Sequence, residues 1–264
     1  MDKLSMSMEV PLQYNMNIQS LLHKINNRCR KFRLQPIRVF CLHHVCAKFD
    51  EGSMCNSDWM DIEFFKNRVE QVSQDGYAFI SFEDAYCKIQ KDFFRCHKYA
   101  VITFDDGYKS LNEILPWLIE KNIPVTLFIN GKYTDGVSQR QVEGKHFTYL
   151  TKDELQHYVE ISNGLISLQS HGYEHLDATQ MTEEEFKAQI EKNVDYISLH
   201  RTQGTRHQTP NTKHQFHAYT WGRHNAQTDA ILQENNIIPV LVDGMKNYND
   251  ASCIHRELLE NYDK

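Results

Sequence analysis

Proline and glycine are scarce, with 6 and 11 in 264 residues, which excludes a collagen-like or low-complexity chain. The cysteines, at positions 29, 41, 46, 55, 87, 96 and 253, are odd in number and contain no Cys-x-x-Cys pair. A disulfide framework and a cysteine zinc knuckle both need regular pairs, so reduced thiols are expected. No apolar run reaches the ~18 residues of a membrane-spanning helix. Basic residues do not exceed acidic ones (29 against 35, net charge −6), so no nucleic-acid partner is expected. Met1 to Glu9 carry an early acid and no long apolar stretch. That is not the pattern of a secretory leader, and a cytoplasmic address is expected.

What is present is enough apolar sequence for a sizeable core (41%) and a regular alternation of short apolar runs with amphipathic stretches. Residues 16 to 33 read as an amphipathic helix ending in a basic cluster, and Pro36 closes this N-terminal helical extension of residues 1–35. Beyond it, strands are predicted over 37–45, 77–81, 99–104, 123–129, 165–168, 214–219 and 237–242, with a short last element at 253–259. Helices are predicted over 61–74, 82–91, 111–121, 151–159, 182–199 and 228–235. Thr151 with Glu154 forms a capping-box pattern at the start of one of them. Such alternation implies an α/β barrel of parallel strands in one domain, residues 36–264.

Two segments carry chemistry. Val101-Ile102-Thr103-Phe104-Asp105-Asp106-Gly107 delivers adjacent carboxylates at the end of a buried-type strand. His171-Gly172-Tyr173-Glu174-His175 delivers two imidazoles four positions apart, just after another strand. One Asp with two His is a facial set of metal ligands that leaves positions open for water and substrate. The other Asp is then free to act as a base. A phosphohydrolase would need a Gly-rich or basic cradle beside the carboxylates, and Lys109 alone does not supply one. His214 and His217 form a second close pair to which no role is given.

Together the segments resemble the polysaccharide deacetylase family, the NodB-homology domain of carbohydrate esterase family four. Its Thr-Phe-Asp-Asp-Gly motif is matched by Thr103 to Gly107, and its His-x-x-x-His motif by His171 to His175, with Gly172 in the second place. The resemblance implies a distorted (β/α)7 barrel holding one divalent metal, zinc first, with cobalt, nickel or manganese as alternatives. It implies a metal-dependent hydrolase that removes acetyl groups, N-acetyl foremost, from an acetylated sugar, oligosaccharide or glycan. In that reading Asp106, His171 and His175 hold the metal and Asp105 is the general base. Phe216 to Arg223 resembles the family's third segment, which brings Tyr219 (through its backbone N–H, as an oxyanion donor), Trp221 and Arg223 to the cleft. Thr220 stands where the family usually has proline. Leu42-His43-His44-Val45 resembles the Tyr-His-x-Val segment of a permuted subgroup acting on poly-N-acetylglucosamine, which implies a general acid in this segment; whether His43 or His44 faces the cleft is a question of strand register, and His43 is favoured. The family's C-terminal Leu-x-His motif is absent, in keeping with that subgroup. Arg256 is a candidate for orienting a catalytic carboxylate. The alternative is a catalytically inactive carbohydrate-binding relative.

Overall fold

The computed structural model describes residues 34–92, 94–200 and 214–262. The predicted helix over 16–33, and with it the N-terminal extension, lies outside them. Twelve strands occur among the described residues: β1 Ile37–Leu42, β2 His44–Cys46, β3 Trp59–Asp61, β4 Tyr77–Phe79, β5 Lys98–Asp106, β6 Val125–Ile129, β7 Arg140–Val142, β8 Lys145–Phe147, β9 Ile166–Ser170, β10 Gln215–Ala218, β11 Ile237–Val242 and β12 Ile254–Leu258. The helices are α1 Ile62–Gln74, α2 Phe82–Lys91, α3 Leu115–Glu120, α4 Lys152–Ile161, α5 Glu183–His200 and α6 Ala226–Glu234.

Seven strands close on themselves in the order β1-β12-β11-β10-β9-β6-β5, all parallel, and β1 pairs with β5 to complete the ring. This is the expected (β/α)7 barrel. Its distortion has two visible sources. β9 and β10 share a single register pair, His217 with Ser170. β11 passes to β12 through residues 243–253 with no helix between them. β4 lies along β5 below β6, pairing Tyr77 with Lys98, so one edge of β5 serves two partners in succession.

The period-2 alternation of β5 sorts its side chains. Ala100, Ile102 and Phe104 point outward into a core shared with Phe65, Leu111, Leu118 and Leu155. Val101 points into the lumen with Ile37, Val39, Phe128, Phe216 and Val240. Phe82, Tyr86 and Ile89 of α2 pack on the same lumen residues and close the N-terminal end; Phe82 meets Phe216 edge to face at 4.7 Å. The opposite end stays available for chemistry, as in other α/β barrels.

Local signals explain the helix boundaries. Asp61 caps α1 by accepting from the Glu63 and Phe64 amides. Thr151 and Glu154 make the predicted capping box on α4. Residues 111–121, expected as one helix, are a 3-10 turn over Lys109–Glu113 followed by α3, because Pro116 admits a helix start but no continuation from the preceding turn. The strand expected over 37–45 ends at Leu42; His43 is a bend, and β2 then leaves the barrel to pair with β3. The hairpin β7–β8 has no counterpart in the sequence reading.

Candidate metal centre and its rim

β5 carries Thr103 and Asp105 on its lumen face. Asp105 is buried and accepts both prongs of the Arg256 guanidinium, Nη1 at 2.6 Å from Oδ1 and Nη2 at 2.8 Å from Oδ2. Arg256 reaches it from the inner face of β12 and also donates to Thr103 Oγ1 at 3.1 Å. Burial alone would raise the Asp105 pKa; the charge and hydrogen bonds of Arg256 outweigh it and hold the group down to about 2. Cys41 Sγ lies 3.5 Å from Asp105 Oδ2.

The next residue would face outward if the strand continued. It does not, because Asp106 has φ 68° and Gly107 φ 75°, and the Gly107 amide turns back to Asp105 O at 2.8 Å. The left-handed step brings the second carboxylate over the mouth. A side chain at Gly107 would be strained at this φ and would sit 3.0 Å from Ile129 Cγ2. Among the described residues, seven non-glycine residues have positive φ. Asn122, Asn163 and Asn236 follow helices α3, α4 and α6, and Glu143 turns the β7–β8 hairpin, where such geometry is ordinary. The other three, Asp106, His175 and Trp221, all belong to this rim. Left-handed geometry costs a non-glycine residue roughly 1–2 kcal/mol, and such strain gathers where function demands it.

His171 follows β9. Its loop is pinned by Asn130, whose Nδ2 donates to the His171 and Gly172 carbonyls at 2.6 and 2.9 Å. Asn193 fixes the neighbouring strand ends, donating to Ile129 O and Ser170 Oγ. His171 Nδ1 lies 2.8 Å from the Ala218 carbonyl, which only accepts, so Nδ1 carries the proton. Burial pushes this imidazole down to about 4, so the ring is neutral near pH 7.

Its Nε2 therefore presents a lone pair to Asp106 Oδ1 at 3.6 Å, and His175 Nε2 lies 3.1 Å from the same oxygen. Asp106 Oδ1 is buried and forms no hydrogen bond. An unprotonated nitrogen facing a carboxylate oxygen in a buried site is an arrangement that a cation would satisfy. Donor atoms of Asp106, His171 and His175 all lie within 4.8 Å of one another. Two bonds of about 2.0–2.1 Å at a tetrahedral angle put their donors about 3.3 Å apart, and the two contacts bracket that value. The Nδ1–carbonyl bond of His171 is the support that metal-binding histidines usually carry. The residues present fit a single metal ion.

His43, half-buried at the end of β1, has a ring nitrogen within 4.8 Å of donor atoms on Cys41 and Asp105. His44 points the other way: it stacks on Tyr108 at 3.8 Å, its Nδ1 meets Ser110 Oγ, and burial pushes it down to about 3.

Trp221, about half exposed, places its ring edge to face on His175 at 4.6 Å. Two expectations for the third segment change. The Tyr219 amide donates to Val240 O at 3.4 Å, extending the β10–β11 ladder, and its hydroxyl donates to Asp229. That N–H is directed into the sheet rather than the cleft. Arg223 lies outside the centre, largely exposed and paired with Asp177 Oδ2 at 2.7 Å. Lys109, beside the carboxylate motif in sequence, is tied to Glu154.

The sequence reading passed over Arg140. It opens β7, with Nη1 3.7 Å from Asp106 Oδ1, and lies between the rings of Phe147 and Trp221. Tyr149, stacked between Tyr108 and Tyr133, lines the same wall. A guanidinium in a short polar strand carries no periodic signal; the Glu143-Gly144 turn was the only trace of the hairpin.

Solved structures of the same architecture align over most of the chain. IcaB from Ammonifex degensii matches with a TM-score of 0.66 at 20% identity, over 85% of this chain and 91% of its own. The deacetylase PplD of Streptococcus pyogenes, solved with acetate, matches with a TM-score of 0.67 at 20% identity over 87% and 95%. A de-N-acetylase from Aggregatibacter actinomycetemcomitans matches with a TM-score of 0.66 at 13% identity over 85% and 95%. At these identities the likeness is one of fold. Among curated proteins, none matches the chain in sequence. The sequence profile of the polysaccharide deacetylase family matches residues 95–238, more than half of the chain and all of the carboxylate and histidine segments, and the chain belongs to the polysaccharide deacetylase family.

Proposed function

We propose that this protein removes N-acetyl groups from a carbohydrate, using one divalent ion, zinc first, held by Asp106, His171 and His175. The observation that carries the reading is Asp106 Oδ1, buried, without a hydrogen bond and faced by two imidazole nitrogens. When bound, such an ion polarises the acetyl carbonyl and lowers the pKa of a water toward ~7 in the best zinc cases.

The chain's own groups do the rest. Asp105, ionised at any working pH, is fixed in direction by the Arg256 fork. It keeps free lone pairs with which to take a proton from the attacking water. His43, on the far side of Asp105 from the histidine loop, gives a proton to the departing nitrogen. Trp221 closes one side of the mouth against His175 and limits access of bulk water.

The test is a pair of variants. Asp106→Ala loses both bound metal and acetate release; Asp105→Asn keeps the metal and loses turnover by several orders of magnitude. Elemental analysis beside an acetate-release assay on N-acetylated and O-acetylated sugars separates them. Undiminished activity in either variant rejects the assignment. The Tyr219 hydrogen bond and Thr220 in place of proline favour one second reading, an inactive carbohydrate-binding relative. It predicts oligosaccharide binding with no acetate released from any substrate.

A further inference from the structure

Beside Asp106 stands a wall of polar groups whose demand for partners is unmet. Arg140 Nη1 is buried and makes no hydrogen bond, and only 11% of its side chain is exposed. Tyr149, 6% exposed, has a buried hydroxyl with no hydrogen-bond partner. Arg140 lies 3.7 Å from Asp106 as an ion pair, and Tyr149, stacked between Tyr108 and Tyr133, brings its hydroxyl within reach of the Arg140 guanidinium. Phe147 at 5.4 Å and Trp221 at 5.5 Å hold the guanidinium between two rings, so it is not free to swing into solvent. Buried donors without acceptors are rare and costly, and they mark places where something else binds.

Charge says what that is. Asp105 is neutralised by Arg256, and Asp106, as it stands, faces Arg140. With a divalent ion on Asp106, two positive charges in a dry site go unanswered. The attacking water enters neutral and leaves its proton on Asp105, so the net charge of the site is unchanged and there is room for a further negative charge within reach of Arg140. An arginine fork with a hydroxyl beside it suits a carboxylate or a phosphate, which accept several hydrogen bonds at once.

Resting on the deacetylase reading above, we propose that Arg140 and Tyr149 form an anion subsite, and that the substrate is an acetylated sugar bearing a carboxylate or phosphate close to the acetyl group. The hairpin β7–β8 then has a function: it carries Arg140 over the mouth and sets which sugars are accepted.

Binding and turnover test this separately. In the metal-loaded Asp105→Asn protein, tryptophan fluorescence is titrated with three probes: a neutral N-acetylglucosamine oligomer, an N-acetylated aminouronate and N-acetylglucosamine 6-phosphate. A charge-assisted contact to Arg140 makes one or both anionic probes at least about tenfold tighter than the neutral one. Added Arg140→Gln brings the three affinities together, and Tyr149→Phe lowers anionic binding by a smaller factor, roughly threefold. In the otherwise native enzyme, kcat/KM shows the same preference, carried mainly by KM. Whichever anionic probe gains identifies the carboxylate or the phosphate. Equal affinity for all three probes, or an Arg140→Gln loss of the same factor on each, overturns the proposal. Thermal melts of both variants check that they fold. If no probe releases acetate, the deacetylase reading fails while the binding series still decides the anion subsite.

Discussion

One strand contributes to two buried arginine–carboxylate forks, one on each face of the barrel wall. Inward, Arg256 of β12 clamps Asp105 at 2.6 and 2.8 Å. Outward, its neighbour Glu257 is clamped by Arg38 of β1, Nε and Nη2 each 2.5 Å from a carboxylate oxygen. The residue types and burial are nearly the same, with Arg256 binding end-on through both Nη atoms and Arg38 side-on through Nε and Nη2, yet the surroundings differ. Arg38 lies over the Tyr262 ring at 4.5 Å, and neither Arg38 nor Glu257 has a buried polar atom without a partner. Around Asp105 the account does not close: Asp106 Oδ1, Arg140 Nη1, His175 Nδ1 and Tyr149 Oη all lack hydrogen bonds. A satisfied fork pins two strands together. A fork set among unsatisfied neighbours fixes the direction of a group whose partners arrive with a ligand.

The strongest way to break this comparison is to remove each arginine in turn. Losing one partner of a buried pair leaves an uncompensated charge and costs about 3–5 kcal/mol. Arg256→Gln and Arg38→Gln should both show that loss in urea unfolding. They should part in activity: Arg256→Gln abolishes acetate release per folded molecule, and Arg38→Gln leaves it within about twofold, since its effect is confined to stability. If Arg38→Gln loses turnover at full folding, or Arg256→Gln keeps it, the two forks do not divide the labour as described.

A milder variant sharpens the contrast through backbone strain. Trp221 is left-handed and half exposed, and its ring meets His175 and the Arg140 guanidinium. Trp221→Gly relieves roughly 1 kcal/mol of backbone strain and gives up a comparable ring contact. The melting temperature should move little, while kcat/KM falls about tenfold as His175 loses its lid. A large drop in stability with unchanged turnover would make Trp221 a packing residue of the Arg38 kind.

Much of the barrel was readable because its parts announce themselves locally. Phe82–Lys91 was placed to the residue, since Ser81 caps it and its apolar face repeats at helical spacing. Ile237–Val242 was placed likewise, although Pro239 interrupts its apolar run. The family motifs brought Asp105, Asp106, His171 and His175 to one rim before any coordinates. Which of His43 and His44 faces the carboxylates depended on where β1 stops, and a continuous apolar pattern through Val45 hid that bend. The Tyr219 amide was misread because its acceptor, Val240, belongs to a strand whose neighbour only the closed barrel defines. Arg140 was missed for the opposite reason: a three-residue polar strand has too little pattern to read, and its meaning comes from a contact across the mouth.

A carboxylate near the surface calibrates the scale at its lower end. Glu154 accepts from Lys109 Nζ at 2.6 and 2.7 Å, from Asn112 at 3.0 Å and from the Thr151 amide at 2.8 Å. Burial would raise its pKa; Lys109, Thr151 and Asn112 outweigh it and hold it at about 2. The folded value lies below the unfolded one of about 4.3, so its contribution is complete above that pH and is lost as pH falls toward the folded value. The Lys109 side chain is 45% exposed and that of Glu154 29%, so solvent screens the pair and the gain is far below that of either buried fork. Glu154→Gln should cost about 0.5–1 kcal/mol at pH 7, within the range for a lost capping interaction. The cost should shrink as pH is lowered below about 4.3, because the native chain loses there what the variant never had. Denaturant unfolding of both proteins from pH 7 down to the acid limit measures this. A cost that stays constant with pH would mean that the amide replaces the carboxylate in the capping box and that the missing energy is packing rather than charge.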